Sequence, residues 1–333
     1  MITETIFLKF SSLRQDAQAF ALCFMIASGG LSHADPLIFQ DFTYTVENSV
    51  ESGTWVNIID YPTTAIGAVV IPATIDGWPV RNIGEEAFFQ CALITSVSIP
   101  ENVIFIGTGA FTACAKLASV ALPTSLETIE AFAFSDCDLL TQITIPAFVS
   151  SIGNRAFDDN NSFLEATFLG NAPGDIGVDI FGTNSLVRVN YLSGKAGFTS
   201  PRWRARGTFI GYQSFARTSL EMWLILNGMP FDQDMLLDSN GDGVNLLMAY
   251  ALNLDPKVNL SGRLPLPTFS SSQMAMTFYA GRPDVTYAVV ASENLVSWTD
   301  TDVTLTPLDL QQMRTATVAI SGQPKFMRLV VTR

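Results

Sequence analysis

The chain has 333 residues, 48% of them hydrophobic and only 15% charged, which is the composition of a folded protein and excludes a disordered one. Acidic residues outnumber basic ones 31 to 18, for a net charge of −13. A surface of that sign repels nucleic acid and anionic lipid, so neither is expected as a partner.

Residues 1–34 read as a secretory signal peptide. Lys9 and Arg14 supply a basic start, Ala17 to Ile26 forms an apolar run, and Ser32-His33-Ala34 offers a small-residue cleavage site before Asp35. Asp16 departs from the usual basic segment, and an amphipathic N-terminal helix is the other reading of the same pattern. The run is too short to span a bilayer as a mature helix, and no later segment matches it. The mature chain is therefore expected to lack a transmembrane segment and to be secreted or held at the cell surface. His33, the only histidine, leaves with the signal. That removes Ser-His-Asp and Cys-His catalysis and the usual zinc-enzyme ligand sets.

Residues 35–68 read as an N-terminal cap, with Phe42 to Val46 and Val56 to Tyr61 as a hairpin. From 69 to 170 the chain repeats itself every 23 residues. Ile83, Ile106, Ile129 and Ile152 recur, as do Ala87-Phe88, Ala110-Phe111, Ala133-Phe134 and Ala156-Phe157. Pro100, Pro123 and Pro146 also keep the step. Cys91, Cys114 and Cys137 share one position, which Asn160 takes in the fourth unit. Glu130 stands where the other units have Gly84, Gly107 and Gly153.

Each unit carries an L-x-x-L-x-L core, the last two positions in strand alternation: Ile94, Val97, Ile99; Leu117, Val120, Leu122; Leu140, Ile143, Ile145; Phe163, Ala166, Phe168. A proline then ends the strand. One such coil cannot bury its own apolar face, so the coils must stack into a repeat solenoid with strands roughly 4.8 Å apart. The phenylalanines are expected to form a spine. The cysteines are expected as an inward ladder of free thiols rather than disulfides, with Asn160 bonded to loop backbone.

Ile-Pro-x-x-Val-x-x-Ile-Gly-x-x-Ala-Phe-x-x-Cys, at Ile99 to Cys114, resembles the BspA-like leucine-rich repeat family of bacterial surface and secreted proteins. With its caps the resemblance runs from about residue 42 to 210. Thr74 to Val80 resembles that family's longer first coil, five residues longer than the others. The resemblance implies a solenoid of β-strand plus irregular turn, and a role in adhesion to an extracellular protein or polysaccharide.

Residues 171–211 read as the C-terminal cap of the solenoid, with Val187 to Leu192 as a last strand. Arg202, Arg204 and Arg206 surround Trp203 there, offering either an anion or sugar contact or a plain cap. Residues 212–262 read as helix, loop, helix. Ser219 to Asn227 is the first helix with Ser219 as N-cap and Gly228 closing it, and Val244 to Leu252 is the second. Between them Asp238, Asn240 and Asp242 at positions 1, 3 and 5, Gly243 at 6 and the Val244 carbonyl at 7 form the first half of a calcium loop. The loop resembles those of dockerin-like modules, but position 12 is Ala249 instead of the bidentate glutamate. Asp232, Asp234 or Asp255 are candidates to compensate, and an Asx turn capping the helix is the alternative.

Residues 263–333 read as a small antiparallel, sandwich-like β domain of five strands: Met274 to Tyr279, Val285 to Ala291, Val303 to Leu305, Thr315 to Ile320 and Phe326 to Thr332. Gly281 to Pro283 and Ser321-Gly322 are expected as hairpin turns. Trp298 is expected in the core, with a sugar platform as the other reading. The stretch Tyr287 to Trp298 resembles a segment of C-terminal domains in large exported bacterial proteins.

The exposed strand face of the solenoid is the candidate ligand surface. Its outward residues are Ser96, Ser98, Ser119, Gln142, Thr144, Glu165 and Thr167. Glycoside hydrolysis needs two carboxylates across a cleft, and this face offers one. No phosphate loop or nucleophile motif is present. Non-catalytic recognition is therefore expected, with a ligand-free structural spacer as the runner-up and a carboxylate hydrolase as a distant third.

Overall fold

The computed structural model describes residues 36–333 except 185, 201, 204–211, 231–232, 239 and 321–324. The signal-peptide segment, Arg204, Arg206, Asp232 and Ser321-Gly322 lie outside the described residues. The chain divides into two compact units, the first ending at Ala216 and the second running from Arg217 to Arg333.

In the first unit every coil contributes two strands. One parallel ladder joins Trp78–Ile83, Phe105–Ile106, Thr128–Ile129, Ser151–Ile152 and Asp175–Ile176. The N-terminal hairpin, Phe42–Ser49 with Gly53–Asp60, joins this ladder through its second strand, and Leu37–Phe39 covers the outer edge. The open end of the stack is thus closed by antiparallel pairing. The opposite face carries Gly67–Val70, Ile94–Ser98 and Ser119–Ala121, then Gln142–Ile145, Glu165–Phe168 and Arg188–Leu192. Tyr212–Arg217 and Arg202–Trp203 close that end as an antiparallel pair.

The rings of Phe88, Phe111, Phe134 and Phe157 stack between the two ladders at 4.8, 5.1 and 5.4 Å between centroids. Tyr61 and Phe42 continue the stack at the N-terminal end, and Phe181 and Tyr212 at the other. Beneath the rings runs a polar ladder. Cys114 and Cys137 donate their thiols to the carbonyls of Phe88 and Phe111, both at 3.2 Å. Asn160 replaces the fourth thiol: its amide donates to the Phe134 and Phe157 carbonyls at 2.8 and 3.0 Å, and its oxygen accepts from the Cys137 N–H at 2.6 Å. Asn184, at the next equivalent position, donates instead to the carbonyl of Phe163, at 2.9 Å. Among the described residues Cys91, Cys114 and Cys137 are buried free thiols. Burial pushes Cys91 up to about 12, so it is protonated and inert at neutral pH.

The repeats extend one coil beyond the boundary expected at residue 170. Ile176, Gly177, Phe181 and Asn184 occupy the positions of Ile152, Gly153, Phe157 and Asn160, but 24 residues on instead of 23. One inserted residue hides this coil from a strict period. The longer first coil has its own physical account: Thr74–Ile75 folds back on Trp78–Ile83 through Asp76 and Gly77, both at positive φ (48° and 85°), the conformation of a tight hairpin turn. Tyr44 donates its hydroxyl to the Asp76 carboxylate and ties this hairpin to the cap. Coil spacing is set by close backbone approach. A Cβ on Gly153 would lie 2.3 Å from the Ala131 nitrogen and 2.6 Å from the Glu130 carbonyl carbon.

In the second unit helix α1 spans Ser219–Leu226 and α2 spans Leu246–Ala251. The N-cap of α1 is Thr218, not Ser219. Its hydroxyl accepts from the Glu221 N–H and the Glu221 carboxylate accepts from the Thr218 N–H, a reciprocal box that Met222 could not complete for Ser219. Helix α2 starts at Leu246, later than expected, because Asp242 takes the Val244 N–H and Asn245 caps the Met248 N–H. Two small antiparallel sheets follow. One orders Thr268–Phe269, Gln273–Tyr279, Met313–Ala319 and Val303–Leu305; the other pairs Thr286–Ser292 with Phe326–Thr332. Gly281 to Pro283 is therefore a crossover between sheets and not a hairpin turn, since the strands it joins have different partners. Tyr250 links helix to sheet by donating to Asp284 at 2.7 Å, while Arg333 holds the other Asp284 oxygen at 3.2 Å.

Two outcomes test the stack. Phe134→Ala, which opens a gap in the middle of the ring column, should lower the unfolding free energy by about 3–5 kcal/mol in urea denaturation. Asn160→Ala should cost about 1–3 kcal/mol by orphaning three backbone groups, whereas Asn160→Cys should cost less because the preceding coils already carry cysteine there.

Candidate binding face

The alternation that buries Val97, Ile99, Ile143 and Ile145 turns the residues between them outward. Ladder registration then sorts the outward residues into columns. Ala68, Ser96 and Ser119 align, as do Val70, Ser98 and Ala121. Further along, Gln142, Glu165 and Arg188 form one column and Thr144, Thr167 and Asn190 the other. Ser98, Ser119, Gln142 and Thr144 are exposed; Ser96 and Glu165 are half-buried.

Thr167 is a correction: it is only 3% exposed and cannot meet a ligand. Its ladder neighbour Asn190, itself 1% exposed, crosses over to donate its amide to Glu165. Arg188 stands 4.0 Å from the same carboxylate. The larger, mutually bonded side chains of the last rungs thus close what the small residues leave open earlier. Glu165, the single carboxylate expected on this face, is committed to that network. Arg188 and Asn190 were legible as continuations of the columns, each 23 residues beyond Glu165 and Thr167.

Trp203 is 3% exposed and packed on Phe168 and Phe198, with its indole N–H donated to the Gly197 carbonyl at 3.0 Å, so it is cap core and not a sugar platform. Trp298 is half-buried and not core. The Arg328 guanidinium covers one face of its ring at 4.2 Å.

The Asp238 loop winds tightly through Gly241 and Gly243, both at positive φ. Asp238 accepts from the N–H groups of Gly241, Asp242 and Gly243 at 2.9, 3.2 and 2.8 Å. Asn240 accepts from the Asp242 N–H at 3.2 Å. The Leu260 N–H donates to Asp242 at 2.6 Å, and with Val244 and Asn240 it holds that carboxyl below the usual range. Asp234 and Asp255 accept from the N–H groups of Leu236 and Lys257, each at 2.9 Å. Position 12, Ala249, is buried in α2. Among the described residues no group of three or more His, Cys, Asp or Glu is placed to hold a metal. The carboxylate oxygens of Asp238 and Asp242 thus accept from amides of the turn itself and from Leu260.

The residues that match the family model for BspA type leucine-rich repeat regions are 81–200, in six copies. A leucine-rich repeat protein of T. pallidum is 31% identical over 46% of this chain and 70% of that one, with a TM-score of 0.42. One from Bacteroides capillosus is 31% identical over 41% of this chain and all of that one, with a TM-score of 0.36. A leucine-rich cell surface protein of Faecalibacterium prausnitzii is 25% identical over 47% of this chain but only 41% of its own length, with a TM-score of 0.38. No curated protein matches the chain. No helix among the described residues is long and apolar enough to cross a membrane.

The acid response of the two units should differ in sign. Burial and the Asp159 charge hold Asp136 and Asp158 above the usual carboxylate range, although an N–H from Asp159 pulls Asp158 the other way. A folded-state pKa above the unfolded value means that folding gains as pH falls through it. Asp242 is depressed instead, so its contribution is complete above its unfolded value of 3.8 and is lost as pH falls through the lower folded value. Calorimetry should show the repeat transition rising on mild acidification, with Asp136→Asn/Asp158→Asn removing the rise. The second unit's transition should fall only in stronger acid, and Asp242→Asn should flatten that fall.

Proposed function

Because the chain belongs to the BspA-type leucine-rich repeat family, we propose that it is a non-catalytic recognition module, exported and used outside the cytoplasm to bind a protein or a polysaccharide. The carrying observation is the run of small, exposed, uncharged side chains at Ser98, Ser119, Gln142 and Thr144 on ladders backed by the stacked rings. Such a surface is rigid before binding, so little ordering entropy opposes capture. The single carboxylate on it, Glu165, already has its partners, which favours recognition over glycoside hydrolysis.

Calcium at the Asp238 loop is part of the proposal. The support is the spacing of Asp238, Asn240 and Asp242 at positions 1, 3 and 5 of a turn wound through Gly241 and Gly243. The absent bidentate glutamate places the affinity in the weak extracellular range, on the order of 0.1–1 mM.

The test is capture of the chain on an array of immobilised matrix proteins and polysaccharides, with calcium and with chelator. Gln142→Arg and Thr144→Arg place bulk on exposed rungs without touching the core. They should weaken capture by at least about tenfold while leaving the melting temperature unchanged. Loss of capture in chelator, reproduced by Asp238→Asn, would assign calcium a part in recognition. Absence of saturable capture under every condition would replace this reading with that of a structural spacer.

A further inference from the structure

The ladder opposite the candidate face carries a furrow of about 300 Å³, lined by Ser52, Trp55, Arg81, Asn82, Ile104 and Phe105. Trp55 stands on Gly53–Asp60, Arg81 and Asn82 on Trp78–Ile83, and Phe105 on Phe105–Ile106, three consecutive rungs. Three features mark it as more than a gap between side chains.

The first is a cation with no carboxylate partner among the described residues. The Arg81 guanidinium lies 5.4 Å from the centroid of the Trp55 ring and donates to the Ser52 carbonyl at 3.3 Å. None of the ion pairs among the described residues involves it. Glu47, across from Trp55 on the neighbouring strand, accepts from Thr45 instead.

The second is a break in the repeat. Phe105 aligns with Asn82 on one side and with Thr128 and then Ser151 on the other. Coil packing is served by polar residues at this outward rung, so an aromatic ring there is not required by the fold. The third is an orphan donor: the Trp55 Nε1, like that of Trp78 outside the furrow lining, is buried with no hydrogen-bond partner among the described residues.

We propose that this furrow is a subsite for a carboxylate-bearing sugar, such as a uronic acid unit of an acidic glycan. The indole and phenyl rings offer apolar faces to the C–H face of a pyranose. The Arg81 fork matches a carboxylate in two-point contact. The Asn82 amide and Ser52 hydroxyl supply donors and acceptors for ring hydroxyls. An extended peptide fits less well. The three strands are interior to the ladder and present no free edge for strand addition, and the volume suits one ring with its substituents. The subsite does not depend on the opposite face being the recognition surface.

The experiment is titration of the full chain with sodium D-glucuronate and with D-glucose, read by saturation-transfer NMR and calorimetry. Glucuronate should bind about tenfold more tightly than glucose, a difference set by the charge-assisted contact. Arg81→Gln should reduce glucuronate to the glucose level. Phe105→Thr installs the residue that Thr128 already carries on the next rung, so the coil tolerates it, and should weaken both sugars. Failure of glucuronate to bind, or equal binding by wild type and both furrow variants, would overturn the proposal.

Discussion

The first unit depends on one contact repeated: a phenylalanine ring from each coil lying on the ring of the next. At 4.8 to 5.4 Å these stacks are close to the strand spacing of the two ladders on either side. The side-chain column and the backbone ladders therefore share one repeat distance, and neither strains the other. Each aromatic pair adds about 0.5–1.5 kcal/mol beyond its burial. Because a coil gains this only from its neighbours, the ends are where the arrangement is vulnerable. Tyr61 with Phe42 and Tyr212 with Phe181 meet that need by continuing the column into capping strands.

The polar ladder beneath the rings explains why the cysteine position is occupied by two residue types. What the site requires is a donor small enough to be buried and aimed at the preceding phenylalanine carbonyl. A thiol meets this weakly, an asparagine amide more strongly and with an added acceptor for the Cys137 N–H. The residues share a hydrogen-bonding role instead of a chemistry, which is why burial leaves the Cys91 thiol protonated instead of reactive.

The second unit is built differently, by local satisfaction. In the Asp238 loop nearly every carboxylate oxygen is met by an N–H within a few residues, and Asp242 reaches the more distant Leu260 amide. These bonds hold the turn, and with the Asn245 cap they set the start of α2.

The sequence by itself determined the solenoid, its ring spine, the inward cysteine ladder and the side of each strand that faces out, because these follow from a strict period and from alternation, which are local and additive. Five strands of the second unit were legible for the same reason. What only the tertiary structure decided depends on neighbours distant in sequence. The coil after residue 170 is masked by a single inserted residue that breaks the period without breaking the stack. Thr167 reads as outward by alternation yet is buried, because Asn190 on the next rung crosses to Glu165. Gly281 to Pro283 reads as a hairpin turn, but strand partnership is a choice among distant segments that turn residues do not specify. The Trp55–Arg81–Phe105 furrow draws on three coils at once, and only the ladder register brings those residues to one place.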